Sequence, residues 1–339
     1  MRRWLGVLSL GFVLCAACAG ASSEPEADES NLNGTAVRRD WSAHPAIVEV
    51  DDADHVYALS DPHGGYVALG ELLQNNGLIG DFVPDTAKYD RVKWTGGTSI
   101  LVITGDLIDK GPDSLGVIDL VRALESKAKA GGGRVIVTMG NHEAEFLADP
   151  MNDKAMSTGE DETGINVGLR AQGIDPKDMA KGLDTKGRGA WLRDLPFAVR
   201  IKKWFFAHGG NTDGRSVREL SKDLEESVRS KGFGAKNLVG DDSILEAQEW
   251  YGNPRSGSTG RRYAEALGVK HIVFGHDPGA FNERGDITSA QDGWLFKLNV
   301  NMGLRVSDAN TGGQLLHIRT KGTDTAESLD ARGNKRSLL

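Results

Sequence analysis

Cysteine is almost missing from this chain: there are two, Cys15 and Cys18, and both lie within the first 18 residues. Everything after them can form no internal disulfide and offers no thiolate as nucleophile or metal ligand, so any catalysis must use oxygen and nitrogen groups. An excess of basic residues is lacking too. A formal net charge of −8 with a pI near 5.6 argues against a general binder of nucleic-acid backbone, which needs a basic face to displace counterions. The apolar stretch Trp4 to Leu14 is shorter than the ~20 residues a membrane-spanning helix needs. There are no internal repeats, and 339 residues suffice for a full core even in a single α/β domain.

What is present begins with a targeting pattern over residues 1–18. Arg2 and Arg3 give a positive start, Trp4 to Leu14 is the apolar core, and Cys15-Ala-Ala-Cys18-Ala-Gly supplies small residues for cleavage. The pattern is similar to a bacterial lipoprotein signal with Cys18 as the lipidated residue, although Cys15 stands where that signal normally has Leu. Cleavage after Ala19 or Ala21 would instead release a soluble protein. The expectation is an exported protein, periplasmic or an outer-membrane lipoprotein of a bacterium, touching a membrane only through a lipid anchor at Cys18. Residues 19–45, rich in Ser, Glu, Asp and Asn, read as a flexible linker. Residues 46–320 read as the folded domain, with a cap insertion at 149–188, and 321–339 as a disordered tail.

Within the domain, apolar runs end repeatedly in ligand-type side chains followed by glycine. His55 to Ser60 leads to Asp61-Pro-His63-Gly-Gly65, and Ile100 to Thr104 to Gly105-Asp106-Leu-Ile-Asp109-Lys110. Arg134 to Met139 leads to Gly140-Asn141-His142-Glu143, Lys202 to Ala207 to His208-Gly-Gly210, and Lys270 to Phe274 to Gly275-His276. β-Branched and aromatic runs of this length read as buried strands. Ligands in α/β sheets bind beyond the carboxyl ends of strands. The Asp-x-His spacing sets Asp61 and His63 on one side of an extended segment. Leu69, Leu72 and Leu73 share a helix face, as do Leu220, Leu224 and Val228. Asp113 and Ser114 can cap the helix that carries Val117, Leu120, Val121 and Leu124. Residues 294–300 and 314–318 can complete a second sheet as antiparallel strands.

Asp61, His63, Asp106, Asn141, His208 and His276 form an oxygen and nitrogen set suited to borderline ions: Mn first, with Fe or Zn as alternatives. A carboxylate has an oxygen for each of two ions, so Asp106 can bridge them about 3.5–4 Å apart, the geometry that clamps in-line displacement at phosphorus. Metal-bound hydroxide then replaces a side-chain nucleophile. His142 is the candidate general acid, oriented by Asp109. Lys110 and Arg255 are the candidate cations for the phosphoryl oxygens.

Asp61-x-His63-Gly, Gly105-Asp106-x-x-Asp109-Lys110-Gly, Gly140-Asn141-His142-Glu143, His208-Gly-Gly and Gly275-His276 resemble, in order, the motif series of the phosphoprotein phosphatase branch of calcineurin-like metallophosphoesterases. Trp94-Thr-Gly-Gly97, Gly111-Pro-Asp-Ser114 and Gly131-Gly-Gly-Arg134 look most like its bacterial, Shewanella-like subgroup. The resemblance implies an α/β fold, a four-layer α-β-β-α sandwich with two metals between the sheets. By family analogy Asp61, His63 and Asp106 hold one ion, and Asp106, Asn141, His208 and His276 the other. It implies phosphomonoester hydrolysis, on a Ser/Thr or Tyr phosphoprotein or a small phosphoester. Ser60 departs from the usual Gly. Lys110 departs from the usual Arg, exchanging a two-pronged clamp for a point charge. Lysine there is similar to diadenosine tetraphosphatase relatives, so the alternative is a nucleotide or dinucleoside polyphosphate hydrolase, with Trp250 and Tyr251 as stacking rings. Arg255 matches the family only through its place after Trp250-Tyr251.

Overall fold

The computed structural model describes residues 36–157, 163–304 and 310–339. The targeting segment, with Cys15 and Cys18, lies outside them. In chain order β1 (Ile47–Val50) and β2 (His55–Leu59) lead to α1 (Tyr66–Asn75), and β3 (Ile79–Gly80) pairs with β4 (Lys93–Trp94) in a small flap. Next come β5 (Ile100–Ile103), α2 (Ser114–Ala130), β6 (Arg134–Val137) and α3 (Asn141–Ala148). The expected insertion holds short helices: α4 (Asp153–Met156), α5 (Ile165–Ala171), α6 (Pro176–Ala180) and the start of α7 (Arg188–Arg193). The hairpin β7 (Ala198–Ile201) and β8 (Trp204–Ala207) precedes α8 (Val217–Lys231), α9 (Lys236–Val239) and α10 (Thr259–Leu267). The chain closes with β9 (His271–Phe274), β10 (Thr288–Ala290), β11 (Leu295–Lys297), β12 (Gln314–Arg319), β13 (Thr325–Asp330) and β14 (Lys335–Ser337).

Two six-stranded sheets result, ordered β1-β7-β8-β9-β11-β10 and β14-β13-β12-β2-β5-β6. Strands β5, β8 and β9 are buried along their whole length. This is why they read as continuous apolar runs rather than alternating ones. Helix α2 packs on β6 and α10 on β9, completing the four-layer α-β-β-α sandwich. In α1 the expected face is confirmed, with Leu69, Leu72 and Leu73 fully buried.

Three expectations are corrected. Residues 37–45 are docked rather than free: the Val37 N–H donates to Lys181 O, and Arg39 reaches the carbonyls of His44, Pro45, Arg193 and Leu195. The end of the chain is ordered as β13 and β14. It contributes only Ala326 and Leu329 as buried apolar groups, too weak a pattern to register as strand. Finally, β11 pairs parallel with β9 in one sheet while β12 pairs antiparallel with β2 in the other. Similar apolar segments near the C-terminus thus finish different sheets, because pairing partners are non-local.

The insertion is tied to the body by a buried bidentate pair, Arg188 Nε to Asp119 Oδ1 at 2.8 Å and Nη2 to Oδ2 at 2.6 Å, with Nη1 on Gln172 Oε1 at 3.0 Å. Asp119→Ala strands a buried guanidinium and is expected to cost about 3 kcal/mol or more, read as a lower urea midpoint at unchanged slope. An unshifted midpoint would show that this pair does not hold the insertion.

Candidate metal centre and active site

Strands β2, β5 and β6 run parallel, as do β8 and β9. Their carboxyl ends deliver Asp61 and His63, Asp106 and Asp109, Asn141 and His142, His208, and His276 to one place. The turns are unusually tight. Asp61, His63, Asp106, Asp109, Lys110 and His276 all have φ between 40° and 63°. Non-glycine residues avoid this region at a cost of roughly 1–3 kcal/mol each, and such strain clusters at functional sites. Two glycines allow the loops after β5 and β6 to touch. A Cβ on Gly105 would lie 2.4 Å from Gly140 N, and one on Gly140 would lie 2.3 Å from Asp106 N.

Asp106 is the hub. His208 Nε2 lies 3.3 Å from its Oδ1, His63 Nε2 3.5 Å from its Oδ2 and His142 Nε2 3.9 Å from its Oδ2. Burial opposes the charge, but His208 and His142 outweigh it and hold the carboxyl well below the usual range. His208 in turn is pushed up to about 10: burial lowers it, and Asp106 more than compensates. Asn141 Oδ1 faces His208 Nε2 at 2.9 Å and His276 Nδ1 at 3.2 Å.

This donor set fits metal ions, and the ring tautomers say why. His208 Nδ1 is engaged with Thr104 O at 2.6 Å and His63 Nδ1 with Ile108 O at 2.9 Å. Carbonyls only accept, so each Nδ1 carries a proton and Nε2 is the atom each ring turns toward Asp106, as a lone pair on the neutral His63 and as an N–H on the charged His208 that a metal ion would replace. Imidazole nitrogens, carboxylate oxygens and the Asn141 carbonyl converging in this way are a donor set that suits a borderline divalent ion. Two groups have ligand atoms mutually within 4.8 Å: Asp106 with His208 and His276, and Asp106 with His63 and His142. Asp61 joins the second group through His63, at 3.9 Å. All six expected ligands are therefore together at one site.

The expected acid and its expected orienter are also together, with His142 Nδ1 2.8 Å from Asp109 Oδ2. Asp109 is fixed from three sides. Its Oδ1 accepts the Ile165 N–H of the insertion at 2.8 Å, and its own N–H donates to Ser114 Oγ at 3.0 Å. Ser114 thus braces the site rather than capping α2, and Asp113 makes no side-chain cap bond. For His142, burial lowers the pKa but Asp106 and the Asp109 hydrogen bond dominate, so it is raised.

A cavity of about 560 Å³ opens over these groups, with Lys110 on one wall and Asp153, Lys154, Glu246 and Gln248 on others. Lys110 Nζ lies 3.1 Å from His63 Nε2. Arg255 is corrected: it is exposed in its turn and does not line the cavity. Trp250 and Tyr251 are corrected as well. Trp250 stacks on Tyr263 and donates to Gly209 O at 2.8 Å, while Tyr251 packs on Phe274 and Phe281. Neither lines the cavity.

Two contributors escaped the sequence reading. Glu143 accepts from Gly140 and Asp106 N–H through Oε2 and from Leu107 N–H through Oε1, clamping the two loops together. Burial, then Asp106, raise its pKa to about 7. The signal was available as an acidic third residue of a helix whose cap is Gly140. Asn299 bridges Asp61 Oδ2 at 2.7 Å and His276 O at 2.9 Å, and nothing local in the sequence marks it.

Sandwich, strand-tip ligands and acid pair define a metal-dependent hydrolase of phosphoric esters. The chain belongs to the calcineurin-like phosphoesterase family, whose model matches residues 55–280. It is 35% identical over 241 residues to an uncharacterized protein of Schizosaccharomyces pombe, covering 66% of this chain and 67% of that one. Shewanella-like protein phosphatase 2 of Arabidopsis thaliana is 27% identical over 115 residues, 33% of this chain and 27% of the relative. A symmetrical bis(5'-nucleosyl)-tetraphosphatase of Salmonella paratyphi C is 28% identical over 186 residues, 52% and 51% of the two chains. The matches to these two named enzymes thus span about a quarter and a half of the relatives' lengths. The fold is shared with a cold-active protein-tyrosine phosphatase of a psychrophilic Shewanella species, with TM-score 0.62, 20% identity, and coverage of 87% of this chain and 82% of that one.

Proposed function

We propose that this protein is a two-metal phosphomonoesterase of the Shewanella-like phosphatase branch, acting on phosphorylated Ser, Thr or Tyr or on small phosphoesters. The observation that carries the reading is the 2.8 Å contact of His142 with Asp109 beside the Asp106 hub, an acid held next to a cation site. Asp61, His63 and Asp106 would hold one ion, and Asp106, Asn141, His208 and His276 the other, Mn being the first candidate. The ions, when bound, supply Lewis acidity and an activated water. His142 holds its proton for the departing ester oxygen, and Asp109 keeps that ring aimed. Lys110 offsets the charge of the phosphoryl oxygens. We place the enzyme outside the cytoplasm, exported by the residue 1–18 segment and tethered through Cys18. The rival reading as a dinucleoside polyphosphate hydrolase is supported by Lys110 and by the tetraphosphatase likeness, but Trp250 and Tyr251 are committed to packing.

The test is hydrolysis of p-nitrophenyl phosphate by the protein stripped of metal and titrated with Mn²⁺. Turnover should return as two ions bind per chain. Two bound ions without turnover would favour the rival substrate class, and no bound ions would overturn the site. Lys110→Arg tests the phosphate contact separately. We expect tighter inhibition by inorganic phosphate, since a guanidinium binds it bidentately. If every substrate and phosphate behave as before, Lys110 does not touch the phosphoryl group.

A further inference from the structure

With Arg255 outside the cavity, the described residues line it with two lysines, Lys110 and Lys154. Lys154 comes from α4 in the insertion, a segment outside the motif series. Its Nζ lies 2.7 Å from Glu145 Oε2 and 3.7 Å from Glu246 Oε1. These are not inert surface partners. Glu145 is on α3, one turn beyond Asn141, and Glu246 Oε2 lies 3.6 Å from His276 Nε2. Lys154 therefore stands on the Asn141 and His276 side of the cavity, opposite Lys110, which sits at His63. The Nζ also donates to Glu145 Oε1 at 2.8 Å, and its side chain is 43% exposed, which leaves it room to turn toward the cavity once a stronger anion competes.

Resting on the phosphoesterase reading above, we propose that Lys154 is a substrate-positioning cation for the phosphoryl group, held in reserve by Glu145 and Glu246 until an anion enters. A phosphoryl dianion brings more negative charge to the ammonium than a carboxylate it already shares, and charge-assisted hydrogen bonds are the stronger ones. Arriving substrate then draws Lys154 off Glu145. The anionic oxygens are gripped from two walls, by Lys110 at the His63 side and Lys154 at the His276 side. This mode selects esters with a free dianionic phosphoryl end, because a diester lacks the charge to compete with two carboxylates.

The competition predicts effects of opposite sign. In the Mn²⁺-loaded full chain, Lys154→Gln should weaken competitive inhibition by inorganic phosphate and raise KM for p-nitrophenyl phosphate about tenfold, with kcat changed less. Lys154→Arg should restore most of the loss. Glu145→Gln should do the reverse and tighten phosphate, because Lys154 loses its competitor. In Lys154→Gln/Glu145→Gln that gain should vanish, since it acts through the lysine. A lysine that merely braced α4 against α3 would make both single variants shift the same way, and that result, or unchanged phosphate inhibition in Lys154→Gln, would overturn the proposal. If the wild-type protein binds Mn²⁺ but hydrolyses no monoester, the underlying reading fails and this one with it; normal wild-type turnover with unchanged variants removes the lysine role alone.

Discussion

Asp106→Asn is expected to remove metal and turnover together. The substitution keeps shape and volume, so the sandwich should retain its circular dichroism, but it deletes the anion that three imidazoles face at 3.3–3.9 Å. Even outer partners of metal ligands are worth 10–100-fold in affinity, and the ligand proposed to bridge two ions should cost more than that. Activity is expected to fall by about a thousandfold or more, comparable to or beyond the loss of one strong electrostatic contact in an active site. Metal content by elemental analysis and nitrophenyl phosphate turnover are measured on the same sample. A variant that keeps both ions would show that Asp106 does not bridge, and one that loses metal yet keeps activity would remove metals from the reaction.

The second large effect is expected at His142, with a different signature. His142→Asn should leave metal content near wild type, because it is not among the six proposed ligands, while kcat falls by roughly 10²–10⁴, the usual worth of a positioned general acid. The fall should depend on the leaving group. An alkyl phosphate needs a proton on its departing oxygen, whereas nitrophenolate leaves without one, so the loss should be much larger for the alkyl ester. His142 Nε2 also stands 3.9 Å from Asp106 Oδ2, in a group with His63 that could hold an ion, so metal content separates its two possible roles. If His142→Asn loses an ion, His142 is a ligand and the acid must be sought elsewhere. Asp109→Asn should reproduce a weaker form of the same signature, since it acts only by holding the ring.

Most of the site could be read from residue order because each motif is a local unit. A buried strand, a ligand-type side chain and a glycine turn are adjacent in sequence, so Asp61, His63, Asp106, Asn141, His208 and His276, which the fold brings together, are each legible as candidates from their local stretch. Arg255 did not follow, because it was assigned by its distance from Trp250 and Tyr251, and sequence distance across a turn says little about which cavity a side chain enters. The aromatic pair misled for the same reason: rings beside a site motif are as well suited to packing on Tyr263 and Phe274 as to receiving a ligand. Asn299 and Lys154 carry no motif at all. They reach the site from β11's far end and from the insertion, and only packing brings them there.

The sequence by itself determined the chemistry: no thiol beyond residue 18, an oxygen and nitrogen ligand set, and a histidine with a carboxylate at fixed spacing. It determined the buried strands too, since apolar runs leave little choice of environment. The tertiary structure alone decided the sheet to which β11 and β12 belong, the ordering of β13 and β14, and the convergence of five strand ends, with the non-glycine turns after β2, β5 and β9 held at positive φ. The physical reason is that ligand identity is a property of a side chain, whereas pairing, strain and cavity walls depend on contacts between segments far apart in the chain, whose energies no local stretch contains.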